Sequence, residues 1–87
     1  MSAGGDIEGA RAALISLVEG GNSWAAVAIG STYDPNILDW VGVKGFPGDI
    51  EEARIWYQRA QQMGAPEAVG LLKSLEGGER GYLPLRR

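Results

Sequence analysis

Few side chains in this 87-residue chain are of a type that performs chemistry, and the informative ones cluster between Asp34 and Glu52. Gly42, Gly45 and Gly48 surround Lys44, a spacing that suggests a backbone cradle for phosphate. A nucleotide loop, however, needs Gly-Lys followed by Ser or Thr, opening a helix after a strand, and neither the strand nor the hydroxyl is present. Asp34, Asn36 and Asp39 offer oxygens to a calcium ion, but Gly45 stands where a bidentate Glu would be required, so helix capping is the expected role. The pairs Glu51 with Glu52 and Glu76 with Glu79 read as a solvated helix face and a tail, because acid and base carboxylates must oppose each other across a cleft. Ser16, Ser23, Ser31 and Ser74 have no partner to activate them: the sequence contains no histidine and no cysteine. No catalytic residue, metal ligand or cofactor is therefore expected.

Composition limits the remaining choices. Hydrophobic residues make up 45% and charged residues 22%, as in an ordinary globule, and 87 residues suffice for one small domain. The net charge is −3, and the basic residues gather only at Arg80, Arg86 and Arg87, so there is no cationic stripe for nucleic acid. The longest apolar run, Ala12 to Val18, is too short for a membrane span and lacks the flanks of a signal peptide. Ser2 to Gly5 reads as a linker edge. The lack of cysteine excludes disulfides without revealing the redox compartment, so localisation stays open.

Positioning these residues falls to an internal repeat. Gly5-Asp6-Ile7-Glu8 recurs as Gly48-Asp49-Ile50-Glu51, and at the same offset of 43 Ala10 matches Ala53, Arg11 matches Arg54, Gly21 matches Gly64 and Ala25 matches Ala68. Each copy reads as two helices. In the second, Ile50, Ala53, Tyr57 and Ala60, with Trp56 beside them, form an apolar stripe on a helix from about Asp49 to Met63. Asp49 and Glu52 have capping-box spacing and Gly64 supplies the stop. Pro66 opens a further helix with Ala68, Leu71, Leu72 and Leu75 inward, ended by Gly77-Gly78. In the first copy, Asp6 caps a helix that turns Ile7, Ala10, Leu14, Leu17 and Val18 inward and stops at Gly20-Gly21. Ser23 caps the next, which buries Ala25, Ala28, Ile29 and Thr32 or Tyr33.

The stretch from Asp34 to Gly48 reads as a long connection in which Asn36 caps a helical turn through Trp40, its apolar side chains lying over the helix pair it joins. The expected architecture is thus all-α, with four main helices in antiparallel hairpins stacked as a short α-α solenoid. Residues 1–78 form the domain, and residues 79–87 are expected to be a mobile tail.

Gly21-Asn22, Ala25, Ile29-Gly30, Tyr33, Gly42-Val43, Asp49, Ala53, Trp56-Tyr57, Ala60 and Gly64 together resemble the Sel-one-like repeat family, a relative of the tetratricopeptide repeats. The resemblance spans one complete repeat and, through the duplication, half-repeats on either side. It departs in the longer connection between Tyr33 and Gly42 and in Ala13-Leu14, which stand where the second copy has Trp-Tyr. It implies an adaptor or scaffold that binds a peptide or protein, frequently in bacterial envelope or signalling proteins. Cysteine-rich members are associated with β-lactams, and this chain shares none of their cysteines. Among the aromatic and basic side chains, Trp24, Tyr33, Trp40, Lys44 and Phe46 are the expected contacts with a partner. Trp56 is expected in the core, and Arg11 and Arg54 are expected in ion pairs with Glu8 and Glu51. The alternative reading is a structural capping domain of a longer protein that forms a homodimer through its open repeat ends.

Overall fold

A computed structural model describes residues 3–43, 45 and 47–77, with the side chains of residues 7–76 within that range. Lys44, Phe46 and the tail 79–87 lie outside the described residues, as does Gly78. Five helices and no strand occur among those described: α1 (Ala3–Glu19), α2 (Ser23–Tyr33), α3 (Pro35–Val41), α4 (Ile50–Gln62) and α5 (Glu67–Gly77).

No residue of α2 is charged, and an uncharged, apolar helix is stable in water only when other elements cover it. It is accordingly central: Ala25, Ala26, Val27, Ile29 and Gly30 are buried, and α2 makes its widest contact with α4 and its next widest with α1. α5 packs on α4, and α3 rests on α2. The core between them is built from small residues, Ala26, Ala53, Ala60, Ala65 and Ala68, closed by Tyr57 and Leu75. Small contact residues let helix axes approach closely.

The two turns that end α1 and α4 repeat one another at the 43-residue offset. Gly21 and Gly64 both adopt left-handed backbone, with φ of 97° and 104°. The Asn22 amide donates to the Leu17 carbonyl at 3.0 Å, and the Ala65 amide donates to the Ala60 carbonyl at 2.9 Å. Such six-to-one bonds satisfy carbonyls that a helix end would leave unpaired, and the positive φ favours glycine at both positions.

Several expectations need correction. α1 begins at Ala3, so Asp6 lies inside the helix and does not cap it, and Ala3 to Gly5 are helical where a linker edge was expected. The two Gly-Asp-Ile-Glu segments therefore differ: the first is wholly helical, whereas Gly48 and Asp49 precede α4 and only Ile50 and Glu51 are within it. Asp49 does cap α4, accepting from the Glu52 amide at 3.2 Å. Its own N–H is taken by the Tyr33 carbonyl at 2.7 Å, the bond that a capping-box glutamate would otherwise make.

α2 is capped by Asn22, whose Oδ1 accepts from the Ala25 amide at 3.1 Å, with Ser23 as the first helical residue. Pro66 stands just ahead of α5. The inward face assigned to α1 is displaced as well: Ala10 and Leu17 are exposed, Ile7, Leu14 and Val18 are half-buried, and among the described side chains of α1 Arg11 is the most buried. On α4, Ile50 is exposed.

The connection between α2 and α4 contains the seven-residue α3, capped by Asp34 and not by Asn36. A preceding Asp with Pro at the first helical position starts a helix well, since the carboxylate accepts an amide and proline has none to leave unpaired. Leu38 is the α3 residue that reaches the interior.

Candidate functional site

Because α1 and α4 both pack on α2, a groove remains between them. Ile15, Val18 and Glu19 line it from α1, and Trp56, Arg59, Gln62 and Met63 line it from α4, around a volume of about 400 Å³. The spacing explains the convergence: residues three, four and seven apart share a helix face, so Trp56, Arg59 and Met63 align along one side of α4. Trp56 keeps one side against the core, as do Val18 and Met63. The Arg59 guanidinium lies over the Trp56 ring, 5.0 Å from its centroid, which holds a cation at the rim of an apolar floor. Glu19 stands on the opposite wall. The arrangement offers apolar contact flanked by one charge of each sign.

Of the expected contact residues, Trp24, Tyr33 and Trp40 are among those described. Trp24 is 58% exposed in the first turn of α2. Tyr33 ends the same helix, nine residues and about 14 Å away at 1.5 Å per residue. It is half-buried, with the Arg11 guanidinium 3.7 Å from its ring centroid. Trp40 is 55% exposed on α3, next to exposed Val41 and Val43, so it does not roof the core. None of these residues lines the groove, and Lys44 and Phe46 fall outside the described residues. The groove draws on Trp56, which had been expected in the core, and on Arg59 and Met63, to which no role had been given. Their shared helical face was readable, but the opposing wall from α1 was not, because it depends on how two non-adjacent helices flank α2.

The interior holds a second polar array. Tyr57 and Asp34 are fully buried, and the Tyr57 hydroxyl donates to Asp34 Oδ2 at 2.7 Å. Asp34 Oδ1 accepts from the Asn36 amide at 2.9 Å, and Asn36 Nδ2 donates to Ser74 Oγ at 3.0 Å. The array thus links the end of α2, the start of α3, α4 and α5. Burial, and next the hydrogen bond and negative charge of Asp34, push the Tyr57 phenol far above its ordinary value, so it remains a donor. An acid and a phenol sealed from solvent have no substrate within reach, and their work is to fix helices.

Asp34 thus caps α3 as expected, and among the described residues no group of three or more acidic, His or Cys side chains is placed to hold a metal ion. No described helix is long and apolar enough to cross a membrane.

Arg11 and Arg54, equivalent in the repeat, behave differently. Arg54 pairs with Glu51 at 2.9 Å on the surface. Arg11 is 3.9 Å from Glu8, and its closer contacts are Thr32 Oγ1 at 2.8 Å and the Thr32 carbonyl at 3.0 Å. It ties α1 to the end of α2. Comparison with protein-family models, curated proteins and solved structures finds no match for this chain, so the Sel-one-like resemblance rests on the residues quoted for it.

Proposed function

We propose that this chain is a non-catalytic protein-interaction module of the Sel-one-like kind, a short stack of helical hairpins that holds a peptide segment of a partner protein without a cofactor. The observation that carries this reading is the groove between α1 and α4, where Trp56, Met63, Ile15 and Val18 give an apolar floor between Arg59 and Glu19. Large, partly desolvated aromatic and Arg side chains are the groups that most often dominate binding at interfaces. The matched turns at Gly21 and Gly64 support the hairpin repeat, and the order of packing, α1 on α2, α2 on α4 and α4 on α5, supports a stack. The absence of histidine and cysteine from the sequence agrees with a binding role.

Selection of a displayed library of random twelve-residue peptides against the folded chain tests the proposal. A shared consensus is expected, with an acidic residue beside an apolar one, and binding of the selected peptides should be lost in Arg59→Glu. Failure of any consensus to emerge, or equal binding by Arg59→Glu, counts against the groove as the site.

A further inference from the structure

The sequence holds two sulfur atoms, in Met1 and Met63, and no cysteine. Met63 is therefore the one thioether among the described residues. It closes α4: its amide donates to the Arg59 carbonyl at 3.0 Å and to the Ala60 carbonyl at 3.1 Å, and left-handed Gly64 follows it. Its side chain is half-buried, packed against the core and also lining the groove. A thioether so placed is held by the fold yet open to a small reagent that enters the groove.

Arg59 stands between Met63 and Trp56 in the helix. It follows Trp56 by three residues and precedes Met63 by four, so the three side chains share one face of α4 and Arg59 has a neighbour on either side. Its guanidinium lies over the Trp56 ring. A thioether is only a weak acceptor and does not draw the guanidinium toward Met63. A sulfoxide oxygen is a far better acceptor, and a hydrogen bond from a charged donor outweighs an exposed contact between a cation and a ring.

We propose that Met63 is an oxidation site that switches the groove off. The sulfur lone pair attacks the distal oxygen of a hydroperoxide, an S–O bond forms and the O–O bond breaks. Sulfur gives up two electrons and the peroxide gains them. The proton of the distal oxygen passes to the departing oxygen, which leaves as water or an alcohol. Arg59 then turns from Trp56 to the new oxygen. The groove loses the cation over its ring, and the floor that Met63 shares with Ile15 and Val18 becomes polar. This inference rests on the groove as a binding site and adds its control, since reduction of the sulfoxide restores the thioether.

The test treats the full chain, carrying Trp24→Phe and Trp40→Phe, with dilute hydrogen peroxide beside free methionine as competitor. Mass spectrometry is expected to find one oxygen added at Met63 at a rate comparable to the competitor's, with helical circular dichroism retained. The emission of Trp56 should shift and the Arg59 Nε–H resonance should move as the oxygen is added, and methionine sulfoxide reductases for the two epimers should reverse both changes. Peptides selected on the groove should bind the oxidised chain about tenfold or more weakly. Met63→Leu, compared with itself before and after treatment, should show no response. The proposal would be overturned by a Met63 that stays unoxidised while free methionine is consumed, by an emission unchanged on oxidation, or by the same response in Met63→Leu. Loss of helix on oxidation would overturn it too, because the change would then be damage to the fold. Selected peptides that bind the oxidised chain undiminished would also overturn it, while leaving the groove reading intact. A library that yields no binder for either form would remove both.

Discussion

The ring of Tyr57 lies so close to Gly30 that a Cβ on Gly30 would stand 2.5 Å from Cε1 and 2.6 Å from Cδ1. The ring cannot swing away, because it is fully buried and its hydroxyl is anchored to Asp34. Gly30→Ala must therefore overpack the contact between α2 and α4. Overpacking costs about 1–3 kcal/mol, and alanine recovers up to ~1 kcal/mol of helix propensity, so a net loss of about 1–2 kcal/mol is expected. Denaturant melts of Gly30→Ala, alone and with Tyr57→Leu, should show the cost of the alanine vanish once the ring is gone.

Tyr57→Phe removes a donor from a buried carboxylate and should destabilise the fold by about 1–3 kcal/mol. The pH dependence follows from linkage. The folded phenol is held above its unfolded value, so its contribution is fully present below about pH 10 and declines as the unfolded state begins to ionise, by about 1.4 kcal/mol per pH unit. Unfolding midpoints measured between pH 8 and 11 should fall above pH 10 more steeply in the native sequence than in Tyr57→Phe. Parallel curves would contradict the buried array.

The matched turns predict matched penalties. Gly21→Ala and Gly64→Ala each force a side chain into left-handed backbone, at about 1–2 kcal/mol. Nothing lies within 4 Å of a Cβ at either position, so backbone strain alone sets the cost and the two variants should agree closely. Thermal unfolding of the pair checks this, and a loss at only one site would mean that the turns are not equivalent.

The two equivalent arginines should diverge. Arg54→Ala breaks a surface pair and should change stability by about 0.5 kcal/mol or less. Arg11→Ala strips Thr32 of two donors and uncovers the Tyr33 ring, and a loss of about 1–3 kcal/mol is expected. Chemical denaturation of both variants separates the two roles.

Helix content and the turn glycines were legible in the sequence because they depend on local spacing: the alanines and Tyr57 of α4, Gly21, Gly64 and the Asp49 cap all lie where periodicity and capping place them. α1 was misread for a physical reason. Its apolar residues surround the helix on all sides, so the pattern could not say which would face α2, and the deciding contact came from Arg11, whose partners are twenty-one residues away. Asp34 was readable as a cap, but its bond to Tyr57 joins two segments through the fold and has no local signature. The groove is of the same kind: each wall is a simple helical face, and only the packing on α2 sets them opposite each other.

The central claim, recognition of a partner segment by the groove between α1 and α4, is tested most directly by the fluorescence of Trp56. In a Trp24→Phe, Trp40→Phe variant Trp56 is the sole tryptophan, and a peptide from the library selection should shift its emission with a saturable dependence that matches calorimetric binding. Calorimetric binding with no change in that emission would place the contact elsewhere and contradict the account.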